Sequence, residues 1–239
     1  ICTLLLSSAL LTSIYAQNAA GGITPDMLKS IRNSYTETPA DKAIRNAISG
    51  TNINQLATNA DNKNNQDTYF SHKVSSKGIT DQKSSGRCWL FTGLNVFRAK
   101  AIAKYDMGNF TFSVNYSFFW DQLEKANLFL QGVIDTKDKP LDDRKVEWLF
   151  KNALGDGGQF TGVFDILTKY GVVPAEVMAE TYSSENTARM SNLIGLKLKE
   201  YGLQLRDEAA KGAKTAALEK TKTEMLSTVY RMLVSVPYP

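Results

Sequence analysis

The stretch SSGRCWLF, residues 84–91, sets a cysteine between an arginine and a tryptophan, with a glycine two positions before it. From Cys88 onward the apolar residues Leu90, Leu94, Phe97 and Ala101 recur at three- and four-residue spacings, which predicts a helix over residues 88–105 that opens on the cysteine. Arg98, Lys100 and Lys104 enter only towards its end, so the first turns are expected to be buried. A cysteine in the first turn of a helix meets unpaired backbone N–H groups and the positive end of the helix dipole, which favours the thiolate. Gly86 permits a tight turn into the helix and the close approach of a substrate backbone. Six residues upstream, Gln82 carries a side-chain amide able to donate, together with the Cys88 backbone N–H, to a developing oxyanion. These are the parts of an acyl-transfer site. Taken alone the Gln-x5-Cys pattern is weak, and a lone cysteine is more often a small buried hydrophobe.

The chain has 239 residues, 43% of them hydrophobic and 22% charged, the profile of an ordinary globular protein. Its 28 basic and 24 acidic residues leave a net charge of +4, too small and too interspersed to argue nucleic-acid binding by itself. A short apolar run at residues 4–11 is too short to span a bilayer and is followed by small and polar residues to Ala16 and Gln17, the pattern of a secretory signal cleaved near Ala16. The basic leader and the starting methionine of such a signal are missing. Cys2 precedes the run and so cannot be a lipid-anchor cysteine at the cleavage point. With residues 1–16 removed, Cys88 is the only cysteine and has no partner thiol within the chain.

Residues 17–78 form a polar, Asn-rich N-terminal segment with one helical stretch at 41–49, where Ile44 and Ile48 share a face and Gly50 ends it. The following ATNADNKNNQDTYF, residues 57–70, reads as a loop by composition. Beyond the cysteine helix, Ser113 is a plausible cap for a second helix, and further helices are predicted at 141–152, 160–170, 185–210 and 214–236. Gly171 and Pro174 stand where a helix C-terminus places them. Few strands are expected.

The run GITDQKSSGRCWLFTGLN, residues 78–95, closely resembles the active-site segment of the bleomycin hydrolase and aminopeptidase C family, the self-compartmentalising branch of the papain-like cysteine peptidases. The papain-type pattern is a Gln followed by Gly-x-Cys-Trp, here Gln82, Gly86, Cys88 and Trp89. General papain-like sequences carry a second cysteine at the place of Ser85 and a small residue at that of Arg87. FTFSVNYSFFWDQLEKAN at 110–127 resembles the family's second helix and its lead-in. DGGQFTGVFDILTKYGVVP at 156–174 resembles the region where a glycine pair, Gly157 and Gly158, borders the substrate cleft. Without the resemblance that pair reads as a turn before a helix. DTYFSHKV at 67–74 also matches, so the likeness runs from about residue 41 to about residue 231.

The resemblance implies an α+β papain-like fold, mainly its helical left-hand part, with residues 79–182 as the nucleophile half of the catalytic domain and residues 183–239 as a truncated helical insertion. It implies that Cys88 is the nucleophile, Gln82 the oxyanion-hole residue, and Gly86, Trp89, Gly157 and Gly158 the substrate-binding residues. Peptide is then the substrate, the assembly a homo-hexameric ring, and no metal or cofactor is involved. Basic surface at Lys197, Lys199, Lys211 and Lys214 is the place for nucleic-acid contact, although a solvated helix face is the simpler reading of those lysines. The family takes its catalytic His and Asn from downstream of the insertion. The one histidine here, His72, precedes Cys88 and is read as structural, so the chain is expected to be an N-terminal fragment of a cysteine aminopeptidase. The contrasting reading is a non-catalytic papain-like protein that binds peptide or nucleic acid. Export, to the periplasm, follows from the apolar run, with no membrane association after its removal; the family's familiar members are cytoplasmic, which is the alternative.

Overall fold

The computed structural model describes residues 21–64, 67–74 and 77–235, and falls into two compact units, Ile1–Ser71 and His72–Pro239. The apolar run at 4–11, Cys2 and the cleavage point expected near Ala16 lie outside the described residues.

The first unit contains α1 (Pro25–Asn33), α2 (Pro39–Gly50), α3 (Ile53–Ala57) and α4 (Ala60–Asn64). Helices α1 and α2 each begin with proline, whose missing N–H is not needed in a first turn, directly after a capping threonine. Thr38 and Asp41 form a reciprocal box: the Asp41 N–H donates to Thr38 Oγ1 (3.2 Å) and the Thr38 N–H donates to Asp41 Oδ2 (2.9 Å). The loop read for residues 57–70 is corrected by α4. Asn59, counted as a loop-former, accepts the Asp61 N–H at 2.9 Å and so starts a helical turn instead.

The second unit is built from α5 (Cys88–Tyr105), α6 (Val114–Asp135), α7 (Arg144–Lys151), α8 (Phe160–Tyr170), α9 (Tyr182–Glu185), α10 (Thr187–Ala210) and α11 (Thr215–Ser235). Helix α6 is the axis, packing against α5, α7, α8, α10 and α11. Its fully buried Ala126, Leu130 and Val133 meet Leu90 of α5, Val163 of α8, Ile194, Leu198 and Leu205 of α10, and Leu218, Val229 and Leu233 of α11 in one core. Residues 79–182 and 183–239, distinct in the sequence, therefore share a single hydrophobic core. Gly93 brings α5 close to α8, since a Cβ there would stand 2.6 Å from Val163 Cγ2. Ser113 caps α6 from a buried position, accepting the Tyr116 N–H at 3.0 Å and donating to the Met178 carbonyl at 2.5 Å.

Among the described residues extended pairing is limited to two isolated bridges, Ser84 with Asn186 in parallel and Phe112 with Pro174 antiparallel. Helix α5 is buried at its start, as its pattern predicts, through Trp89, Leu90, Gly93 and Leu94. Its basic end differs from the expectation. Arg98 is buried, donating from Nε to the Phe110 carbonyl at 2.5 Å and from Nη2 to the Lys77 carbonyl, so it ties the chain on either side of the helix to its shaft.

Candidate active site

Cys88 is the first residue of α5 and is exposed, with Trp89 buried beside it. The residue before it, Arg87, occupies the N-cap position, yet its side chain makes no capping bond and turns into the interior, where none of it is exposed. The first backbone N–H groups of α5 are therefore left without a side-chain cap, next to the thiol. Arg87 Nη1 pairs with Glu180 at 2.9 Å, and its guanidinium lies over the rings of Phe91 and Phe118, 5.2 and 5.4 Å from their centroids. Arg87 Nε donates to Ser85 Oγ at 3.0 Å, and Ser85 Oγ donates to the Gln82 carbonyl at 2.6 Å. Glu180 also accepts from the buried Ser184 at 2.6 Å. A polar chain thus runs from Glu180 through Arg87 and Ser85 to Gln82, under the turn that leads into the cysteine.

Gln82 is half-buried, and its Nε2 donates to the Ser85 carbonyl at 2.8 Å. An amide nitrogen carries two hydrogens, so the other stays available to an oxyanion. The neighbouring Lys83 has φ 53°, a left-handed conformation that the Asp81 carboxylate supports by accepting the Lys83 N–H at 2.8 Å and pairing with its Nζ at 2.9 Å. That backbone bond first, then the Lys83 side chain, hold the Asp81 carboxyl below its ordinary range.

The glycine pair lies across from the turn. Asp156, directly before it, accepts the Gly86 N–H at 2.6 Å and the Thr187 hydroxyl at 2.5 Å on one carboxylate oxygen, while its backbone carbonyl accepts the Trp89 indole N–H at 2.9 Å. Burial by itself would raise the Asp156 carboxyl; the bonds from Thr187 and Gly86 outweigh it and hold the group below its ordinary range. Lys125 of α6 secures the other side: its Nζ reaches Asp121 at 2.7 Å, the Gly157 carbonyl at 2.7 Å and the Gly155 carbonyl at 3.1 Å, above the face of the Trp89 ring. Burial pushes the Asp121 carboxyl up, against the pull of Lys125.

Of the residues read as the site, Gln82, Gly86, Cys88 and Trp89 sit on one turn, and Gly157 and Gly158 are joined to it through Asp156. Gly86 is bare for a reason the sequence does not disclose, since a Cβ there would stand 2.3 Å from Asp156 Oδ1. Asp156, Lys125, Glu180 and Thr187 are the residues that sequence reasoning left unassigned. Only the place of Asp156 beside the glycine pair hints at its part. His72 is exposed at the start of the second unit. Among the described residues no cluster of His, Cys, Asp or Glu fits a metal ion, and no helix is long and apolar enough to cross a membrane.

Residues 22–237 match the model of the Peptidase C1-like family. An aminopeptidase C of Lactobacillus delbrueckii subsp. lactis is 35% identical over 213 residues, which is 89% of this chain and 47% of that protein. A bleomycin hydrolase of Rattus norvegicus is 38% identical over 168 residues, 69% of this chain and 37% of the relative. The crystal structure of PepW from Lactobacillus rhamnosis superposes with a TM-score of 0.82 at 37% identity, covering 92% of this chain and 50% of that one. The chain spans about half the length of the curated relatives it matches. Its helical architecture is the helical part of the papain-like fold. A family model matched along nearly the whole sequence, on a fold that sets an exposed cysteine at the head of its first core helix, places the chain in the Peptidase C1-like family.

Proposed function

We propose that the full-length protein is a cysteine aminopeptidase and that this chain supplies the nucleophile side of its active site. The carrying observation is the exposed Cys88 at the uncapped N-terminus of α5, on a turn held by the buried Arg87 and the half-buried Asp156. In this reading the Cys88 thiolate attacks the carbonyl of a peptide or amide bond near a free N-terminus. The Cys88 backbone N–H and the Gln82 amide hold the oxyanion, the amine leaves with a proton, and water releases the acyl group. The imidazole that exchanges these protons comes from outside these 239 residues, because His72 precedes the site on an exposed stretch. The names of the relatives, aminopeptidase C and bleomycin hydrolase, support the same substrate class.

The test is hydrolysis of an aminoacyl-amide substrate by full-length protein. Cys88→Ser abolishes turnover and labelling by a thiol-directed inhibitor, and Gln82→Ala lowers kcat about 100- to 1000-fold, the usual cost of one oxyanion donor. Turnover that survives Cys88→Ser removes the proposal.

The hexameric ring belongs to the same proposal. Exposed Leu193, Leu196 and Leu203 on α10 support it, and light scattering of the full-length protein reads its mass directly. Nucleic-acid contact gains no such support, because Lys197 is paired with Glu200 and Lys211 with Asp207 at 2.8 and 2.6 Å. Export rests on the apolar run at 4–11, and cell fractionation decides between periplasm and cytoplasm.

A further inference from the structure

One residue holds the nucleophile turn from both sides. The Asp156 carboxylate takes the Gly86 N–H, two positions before Cys88, and the Asp156 carbonyl takes the indole N–H of Trp89, one position after it. The same carboxylate oxygen takes the hydroxyl of Thr187, the buried first residue of α10. Gly86 lies ahead of α5 and no intrahelical bond fixes it, while the Arg87 side chain gives no cap. Asp156 therefore sets the path by which the backbone enters the helix, and with it the direction of the Cys88 N–H and thiol. Because Gly157 and Gly158 follow Asp156 directly, the same residue also sets the spacing between the thiol and the glycine segment along which a substrate would lie.

We infer that Asp156 is a positioning residue for Cys88, held in place for that purpose by Thr187. The inference rests on the peptidase reading above and deepens it. The helical segment beginning at residue 183 becomes part of the active-site floor, since the first residue of its long helix completes the coordination of the carboxylate. Charge-assisted bonds of this length are strong and directional. A displacement of about 1 Å in a reacting group costs about 100-fold in rate.

A tether that only stabilises the fold predicts that its variants melt earlier while the molecules still folded react normally; a positioning residue predicts slower chemistry in folded molecules. The experiment uses full-length wild type, Asp156→Ala, Asp156→Asn and Thr187→Val at a temperature where each is folded by circular dichroism. It measures kcat and KM on an aminoacyl-amide substrate and the rate of Cys88 alkylation by iodoacetamide. Asp156→Ala lowers kcat about 10- to 100-fold and leaves KM within about threefold, with alkylation slowed as well. Asp156→Asn recovers part of the loss, because its amide oxygen still accepts the Gly86 N–H, and Thr187→Val falls between it and wild type. Folded Asp156→Ala with wild-type kcat and alkylation rate overturns the inference. If Asp156→Ala does not fold, unchanged kcat and alkylation in Asp156→Asn and Thr187→Val together overturn it. Wild-type protein without Cys88-dependent turnover removes the peptidase reading instead, and the alkylation rates of the variants still decide the role of Asp156.

Discussion

A methyl group on Gly158 would stand 2.6 Å from the Trp89 indole, whereas one on Gly157 would meet no atom within 4 Å. The two neighbours are therefore glycine for different physical reasons: Gly158 makes room for a buried ring that Asp156 pins through its indole N–H, whereas the space over Gly157 is open. Gly158→Ala forces Trp89 or the 157–159 backbone to move and is expected to destabilise by about 1–3 kcal/mol, the usual cost of overpacking. Gly157→Ala is expected to keep the wild-type melting temperature and to raise KM in the full-length protein, because the new methyl stands where an extended peptide would run. Thermal melts beside steady-state kinetics separate the two, and equal melting losses in both variants would contradict the assignment. In the sequence the pair is legible only as a unit. Which glycine is fixed by packing depends on Trp89, far away along the chain.

Helix α5 and the turn before it show what an element inherits from its partners. The limits of α5 and α8 coincide with those read from periodicity, because each has a local stop: Asp106 at φ 50° after α5 and Gly171 at φ 72° after α8. The inward turn of Arg87 and Arg98 is not local. Arg98 bonds the backbone carbonyls of Phe110 and Lys77, and Arg87 pairs through Nη1 with Glu180, 93 residues on, its buried Nη2 left without a partner, and no pattern of residue types within the helix announces either pairing. The Arg87–Glu180 pair leaves Arg87 fully enclosed, so removing its partner strands a buried charge. Glu180→Ala is expected to cost about 3 kcal/mol, at the lower end for buried pairs because the Glu180 side chain is itself 31% exposed. Urea unfolding monitored by tryptophan fluorescence measures it. A change below about 0.5 kcal/mol would mean that the guanidinium is held by Phe91, Phe118 and Ser85 alone.

At the scale of the whole second unit, one core joins α5 to the long α10 and α11, and the buried Asp121 and the half-buried Asp156 and Glu124 respond to acid with opposite signs. Asp156 and Glu124 are held below the ordinary carboxylate range, Asp156 by Thr187 and Gly86 and Glu124 by Lys169 and Tyr170, in each case against the opposing effect of burial. Such groups bind protons more weakly folded than unfolded. Their stabilisation is complete above the ordinary range, around pH 4, and is lost as pH falls through the lowered native values. Asp121 is raised by burial, so the native state binds its proton more tightly and gains stability as pH falls through that raised value. Asp156→Asn should therefore be less stable than wild type at pH 7, with the gap beginning to close as pH falls below the ordinary carboxylate range, where the unfolded wild-type chain takes up the proton that native Asp156 resists. Asp121→Asn lacks the compensating gain, so its stability should fall more steeply than that of wild type between pH 7 and 4. Urea midpoints at pH 7, 5, 4 and 3 give both slopes. An Asp156→Asn gap that stays constant over this range would mean that the geometry of the bonds to Gly86 and Thr187, rather than the charge that accepts them, is what Asp156 contributes to the fold.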